Sequence, residues 1–336
     1  MCIRDRLPLE DTDPPGPRKV EIKWRKGPKA PTAFDFNSCA VKGNIVYYYC
    51  AAMNNVFEFD VDKEEWSVLS PVCPQRFFTL VIIEGMLCVV GGEDSEGAQH
   101  TTDEDHPDKR SPIRGLMSGP EGKFKQWVEY FPRVRTLRCY VAATYMQEAL
   151  IIAGGTIRLP QGEDVSNSQS VEVLYINNKQ WYTACDLPYP IQRPSIVSCS
   201  NKIFINGAYD KQVYMTSLTE ILLNATRQSD SNKTPDEDHS ERSIWKPLTF
   251  CPTSNIYLDK LDGKLITVGG LISEDKCSKD VYTYDIDSNE WNVIGEVSVP
   301  QRFSRVSVLP EDKVILAVGW TLNHFDDTVE IGTIER

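Results

Sequence analysis

Apolar residues in this chain fall into short runs, and the runs come in sets. Phe77–Val90 reads FFTLVIIEGMLCVV, continuously apolar and rich in β-branched residues, broken only by the polar pair Glu84-Gly85. Such a run predicts two short strands joined by a tight turn and buried on both faces. A glycine pair follows, Gly91-Gly92. Further along, Val281–Trp291 (VYTYDIDSNEW) alternates with period two, reaches an aromatic residue, turns through polar residues and ends on a tryptophan. Alternation of that kind predicts outer strands with one buried face, and DSNE is a hairpin turn by composition.

The same grammar recurs. Val56–Trp66 (VFEFDVDKEEW) and Val171–Trp181 (VEVLYINNKQW) are further copies, with Phe59 and Tyr175 expected where Tyr284 stands. Glycine pairs stand at Gly91-Gly92, Gly154-Gly155 and Gly269-Gly270, with degraded forms at Gly207-Ala208 and Gly319-Trp320. They are expected where the innermost strands crowd a central axis, because glycine allows close approach and unusual dihedrals. Six tryptophans keep the beat: Trp24, Trp66, Trp127, Trp181, Trp245 and Trp291. A recurrence of roughly 50 residues is the scale of one propeller blade. The aromatics are expected to fill the wedges between blades.

The two ends of the chain complement each other. Pro300–Trp320 and Asp326–Arg336 supply three strands without a tryptophan-bearing fourth, and Lys19–Pro28 (KVEIKWRKGP) supplies such a strand with no blade before it. Pairing the two closes a sixth blade and removes a naked sheet edge. The expected fold is all-β: a six-bladed propeller with four antiparallel strands per blade, the last closed by the N-terminal strand. Met1–Arg18, with its Asp-Pro-Pro-Gly-Pro string, reads as a linker or non-native segment, which leaves an upstream domain open.

The joint recurrence of glycine pair, aromatic and tryptophan over 19–336 resembles the kelch-repeat β-propeller proteins. That resemblance implies a rigid scaffold whose loops bind a protein partner.

Composition narrows the alternatives. The formal net charge is −12, and the acid gathers in Glu93–Asp105 and Asp230–Asp238, each ending in the string DEDH at His106 and His239. A metal reading of those strings is weaker than that of solvated loop tips. Nothing is basic enough to predict nucleic-acid binding, and no apolar run reaches membrane-helix length. The ten cysteines form no CxxC pair, which points to buried free thiols and a cytoplasmic location. Copper and iron enzymes of kelch architecture need histidine sets that His100, His106, His239 and His324 do not form. No nucleophile with its base is visible either. We therefore expect no catalysis, no cofactor and no metal.

The candidate site is a set of arginines where first strands begin: Arg76, Arg138, Arg193 and Arg302. Connections between blades emerge on one face, so equivalent positions converge around the central opening. Several guanidiniums there favour a carboxylate- or phosphate-bearing ligand. In the kelch-type substrate receptors that the chain resembles, arginines at this repeat position line the groove that holds an acidic peptide. Taken singly, each arginine is as readily a structural residue that pairs with carbonyls or an acid of the next blade. The first blade (Asp35 or Phe36) and the fifth (Ser254 or Asn255) lack the arginine, so the collar is incomplete. Tyr47, Tyr48, Tyr49, Tyr214 and Trp320 are secondary interface candidates. Three readings remain: an interaction module, an adaptor portion of a larger ubiquitin-ligase- or kinase-linked protein, and a metal-dependent enzyme.

Overall fold

A computed structural model of the chain describes residues 21–32, 38–94, 111–118, 125–158, 165–207, 209–229, 243–309, 314–321 and 327–335. Six four-stranded antiparallel sheets dominate it. Blade 1 comprises Ser38–Lys42, Ile45–Cys50, Asn55–Asp60 and Glu65–Val68. Blade 2 comprises Thr79–Ile83, Met86–Val90, Ile113–Ser118 and Lys125–Phe131. Blade 3 comprises Ala142–Met146, Ala149–Ala153, Val171–Tyr175 and Gln180–Ala184. Blade 4 has Pro194–Cys199, Lys202–Gly207, Val213–Ser217 and a stub, Lys246–Pro247. Blade 5 has Asp259–Leu261, Lys264–Val268, Asp280–Asp285 and Glu290–Glu296. Blade 6 joins Arg302–Val308, Val314–Trp320 and Val329–Glu335 to the N-terminal strand Glu21–Lys26. Each first strand packs on the first strand of the next blade, and that of blade 6 packs on that of blade 1, which closes the ring. Among the described residues no helix is long and apolar enough to cross a membrane.

Burial follows the sequence pattern. The second strand of blade 3, Ala149–Ala153, is buried at every residue, and the outer strand Glu65–Val68 is mostly exposed. The core is divided among the junctions between blades, because a flat sheet can bury its apolar face only against its neighbour. Six apolar clusters each draw on two adjacent blades; one sets Val81, Ile83 and Cys88 of blade 2 against Leu150, Ile152 and Leu174 of blade 3. Each fully buried aliphatic side chain contributes roughly 1.5–3 kcal/mol, so the junctions carry most of the stability.

The tryptophans stitch those junctions. Trp66, Trp127, Trp181, Trp245 and Trp291 each donate the indole N–H to a main-chain carbonyl at the end of the preceding blade: Pro28, Pro71, Pro132, Cys185 and Thr249, at 2.9 to 3.4 Å. That spacing, four or five residues beyond the previous tryptophan, explains why tryptophan rather than another aromatic marks the repeat. Trp24 stacks on Gly332 of its own blade instead.

Four expectations are corrected. The glycine pairs do not crowd the axis; they sit at the junctions. The second glycine donates its N–H to the next blade's entry segment: Gly92 to Arg138 O, Gly155 to Ile191 O and Gly270 to Gln301 O, at 2.7 to 3.1 Å. All six glycines have left-handed φ, and a Cβ on Gly155 would lie 2.7 Å from Cys139 O, which is why the pair tolerates no side chain. The residue facing the tryptophan in blade 3 is Leu174, as Phe59 faces Trp66 and Tyr284 faces Trp291; Tyr175 lies one residue on, partly exposed. Trp245 precedes its stub strand rather than lying within it. And blade 4 holds a helix, Leu218–Ser229, packed on the outer strand of blade 3. Its signature was legible: Ser217 Oγ accepts from Glu220 N while Glu220 Oε2 accepts from Ser217 N, each at 3.1 Å, a capping box. The Met1–Arg18 segment and both DEDH strings lie outside the described residues.

Candidate partner-binding site

Inner strands begin on one face, and so do the glycine-pair loops. At the entry to each of five inner strands a non-glycine residue takes a left-handed φ: Phe77 (57°), Tyr140 (54°), Arg193 (48°) and Asn255 (58°) ahead of the strand, and Phe303 (53°) as its second residue. Asparagine accepts this conformation readily, whereas bulky residues seldom do. Together these residues define the true repeat register at the entry to blades 2 to 6; the blade 1 counterpart lies outside the described residues.

In that register the four arginines occupy three different positions. Arg76 and Arg302 are equivalent, each one residue before the left-handed aromatic. Arg76 is exposed and Arg302 partly exposed. Arg193 is itself the left-handed residue, partly exposed, its guanidinium 5.1 Å from the centroid of the Tyr140 ring. Arg138 falls one residue earlier still, aligned with Gln75, Thr253 and Gln301, and is fully buried. This is a correction: Arg138 cannot present its charge to a partner. Its Nη1 donates to Gly154 O at 3.1 Å, Ser170 O at 2.9 Å and Ser170 Oγ at 2.9 Å, and Nη2 pairs with the buried Glu172 at 3.0 Å. Burial pulls its pKa down, with Glu172 opposing. The aligned Gln75 and Thr253 make the same contact, donating to Gly91 O and Gly269 O. The position is a lock on the first glycine of the pair.

A channel runs down the axis between all six inner strands, about 430 Å³ in volume. Its mouth is framed by Ser38, Thr79, Tyr140, Arg193, Tyr257 and Arg305. Arg305, two residues beyond Phe303, sits over the Tyr257 ring, with the guanidinium carbon 3.2 Å from its centroid. Phe77 meets Tyr140 at 5.2 Å between centroids, and the exposed Tyr209 reaches Phe303 at 5.6 Å. A guanidinium that sits over a ring is held in a fixed orientation, and its planar shape suits a planar anion. The mouth thus presents Arg193 and Arg305 among aromatic walls, with Arg76 and Arg302 on the same face. Sequence reasoning missed Arg305, Tyr209 and Tyr257 because it took the Pro-Gln-Arg-Phe strings as the register. Arg305 lies inside the strand, three residues beyond Arg302, an offset that reads as the opposite face of a regular strand; the bulge between Arg302 and Arg305 breaks that alternation.

The wall beneath the mouth is fastened at every junction. Ser38 Oγ accepts from Leu80 N at 2.9 Å, Thr79 Oγ1 donates to Val141 O, and Thr144 Oγ1 donates to Ser198 Oγ at 3.2 Å. Ser195 Oγ accepts from Leu258 N at 3.0 Å, Asp259 accepts from Val308 N at 2.8 Å, and Cys39 Sγ faces Val306 O at 3.9 Å. The mouth residues therefore stand on a rigid ring, as a binding site on loops requires.

The secondary aromatics divide. Tyr48 and Tyr49 are fully buried, Tyr49 Oη accepting from Phe77 N at 2.8 Å, so neither is an interface residue. Tyr47 and Tyr214 are partly buried, and the Trp320 side chain lies outside what is described. Burial raises the Cys73 and Cys88 thiols to about 12 and Cys251 to about 11, and it pushes Cys39 and Cys277 up as well. Such thiols are poor nucleophiles at neutral pH. Among the described residues no group of three or more His, Cys, Asp or Glu is placed to hold a metal ion.

Residues 260–298, the heart of blade 5, match the Kelch motif. With the ring of four-stranded sheets, the chain is a β-propeller that carries a Kelch motif. Over 245 residues it is 22% identical to Kelch repeat and BTB domain-containing protein 2 of Homo sapiens and of Pongo abelii, a match that covers 63% of this chain and 36% of the relative. The chain thus spans about a third of the length of the curated relatives it matches. The solved structure of YjhT superposes with a TM-score of 0.61 at 15% identity, covering 92% of this chain and 99% of that one; this likeness concerns the fold alone.

Proposed function

We propose that this chain is a non-catalytic protein-interaction module that binds a partner protein, through an acidic segment, at the channel mouth. The observation that carries this reading is the convergence of Arg76, Arg193, Arg302 and Arg305 with an aromatic rim on one face, in a chain whose net charge is −12. Guanidiniums stacked on rings are pre-positioned, so little side-chain entropy is lost when a carboxylate docks. The collar is open where blade 5 places Ser254 and Asn255, which favours an extended segment held from one side over a symmetric anion.

The adaptor reading rests on the relatives, whose name includes a BTB domain in addition to kelch repeats. In that reading the propeller selects the partner, and a second domain couples it to an effector.

The test is a peptide-display selection against the wild-type chain, followed by binding of the selected peptides to the set R76E, R193E, R302E and R305E. Acidic segments should be selected, and the quadruple variant should lose them with an unchanged unfolding midpoint. Undiminished binding by that variant would place the site elsewhere.

A further inference from the structure

Blade 6 differs from the other five in how it is held. Its outer strand Glu21–Lys26 lies some 300 residues from its partner Val329–Glu335 in sequence, paired in register from Glu21↔Glu335 to Lys26↔Glu330. No hairpin joins them, so the pairing carries the full entropy of a long loop closure. The polar stitching found at the other blades is also incomplete here. Five tryptophan indoles donate to the preceding blade, whereas the buried Nε1 of Trp24 has no acceptor among the described residues. In the neighbouring strand the fully buried Glu330 meets Ser298 through Oε1, and its Oε2 has no hydrogen bond among the described residues. The Nε of Arg302, on the inner strand of the same blade, likewise has no acceptor among them. Besides the six-residue ladder and the Trp66 bond to Pro28 O, the strand is held by the packing of Ile22 and Trp24, the exposed ion pairs Arg25–Glu64 and Lys29–Asp327, and two main-chain bonds from Gly27 and Ala30. Exposed pairs of that kind contribute little.

We infer that Glu21–Lys26 is a clasp that opens by itself while the rest of the ring stays folded, and that the edge it vacates on Val329–Glu335 accepts a second strand of the same pattern. Ile22 and Trp24 face inward while Lys23, Arg25 and Lys26 are exposed, so a strand that repeats this alternation recovers both the core contacts and the ladder. Charge on the outer face keeps the closed edge from pairing with other chains.

Native-state hydrogen exchange on the whole chain tests the opening. Amides shared between Glu21–Lys26 and Val329–Glu335 should exchange at least tenfold faster than those between the third and outer strands of blades 2, 3 and 5, with little denaturant dependence. Exchange at the same rate as those blades, or only through global unfolding, would overturn the inference. The double variant Lys23→Cys/Thr333→Cys, at directly opposed positions, supplies a lock whose reduced form is its own control. A labelled peptide of residues 19–32 should bind saturably to the wild-type and reduced chains and not to the oxidised one. No saturable binding, or equal binding to the locked form, would overturn strand acceptance.

Discussion

Replacing Arg138 by alanine separates a structural arginine from a binding one. The substitution removes three hydrogen bonds, to Gly154 O, Ser170 O and Ser170 Oγ, and leaves the buried Glu172 carboxylate facing an empty site. Deleting one partner of a buried ion pair costs about 3–5 kcal/mol, mostly the desolvation of the charge left behind. At roughly 2 °C per kcal/mol for a chain of this size, the thermal midpoint should fall by about 6–10 °C. Thermal or urea unfolding followed by tryptophan fluorescence reads this directly, since Trp181 lies in blade 3. Arg76, exposed on the mouth face, should give less than about 0.5 kcal/mol in the same assay. The double variant Arg138→Met/Glu172→Leu should be more stable than Arg138→Met alone, because no unpaired charge remains. Wild-type stability of R138A together with loss of partner binding would refute the assignment of Arg138 to the glycine lock.

Four other outcomes follow from the geometry. Trp127→Phe should cost about 1 kcal/mol more than Trp24→Phe in chemical denaturation, since only the first loses a made hydrogen bond; equal losses would contradict the stitching role. Gly155→Ala, at φ +89° and facing Cys139 O, should destabilise by well over the about 1 kcal/mol expected at Gly43, where φ is +58° and no atom lies within 4 Å of the built Cβ. The Asp285 carboxyl, bonded to Lys264 Nζ at 2.6 Å, should titrate by NMR at about 2 and return towards about 3.9 in Lys264→Ala. A lowered folded-state value means that its small contribution is present above the ordinary carboxylate range and is lost as pH falls through 2 to 4. A disulfide reagent at pH 8 should leave Cys73, Cys88 and Cys251 unmodified in the folded chain and label them in denaturant; rapid native labelling would show that their burial is transient.

The candidate site was legible only in part, and the reason lies in how a repeat is counted. Pro-Gln-Arg-Phe occurs twice and puts Arg76 and Arg302 at one equivalent position, each before a left-handed phenylalanine. In blades 3 and 4 the arginine is displaced by one residue in opposite directions. A single residue of slip in an extended chain exchanges inside for outside, which buried Arg138 and moved Arg193 onto the Tyr140 ring. The helix at Leu218–Ser229 carried its capping signal, Ser217 followed by Glu220, but the expectation of four strands per blade left no place for it.

By itself the sequence determined the number of blades, their strand pattern, and the pairing of the two chain ends. These follow from hydrophobic period and the spacing of tryptophans, properties of the chain taken a few residues at a time. The tertiary structure decided what the repeated residues are for. Each tryptophan and each glycine pair acts on the neighbouring blade, at carbonyls such as Pro71 and Arg138 that no local pattern announces. It also decided which arginines reach solvent, because exposure at the channel mouth depends on left-handed residues and a bulge that set side-chain direction. Contacts between segments some 50 residues apart assign those roles, and they exist only once the ring is closed.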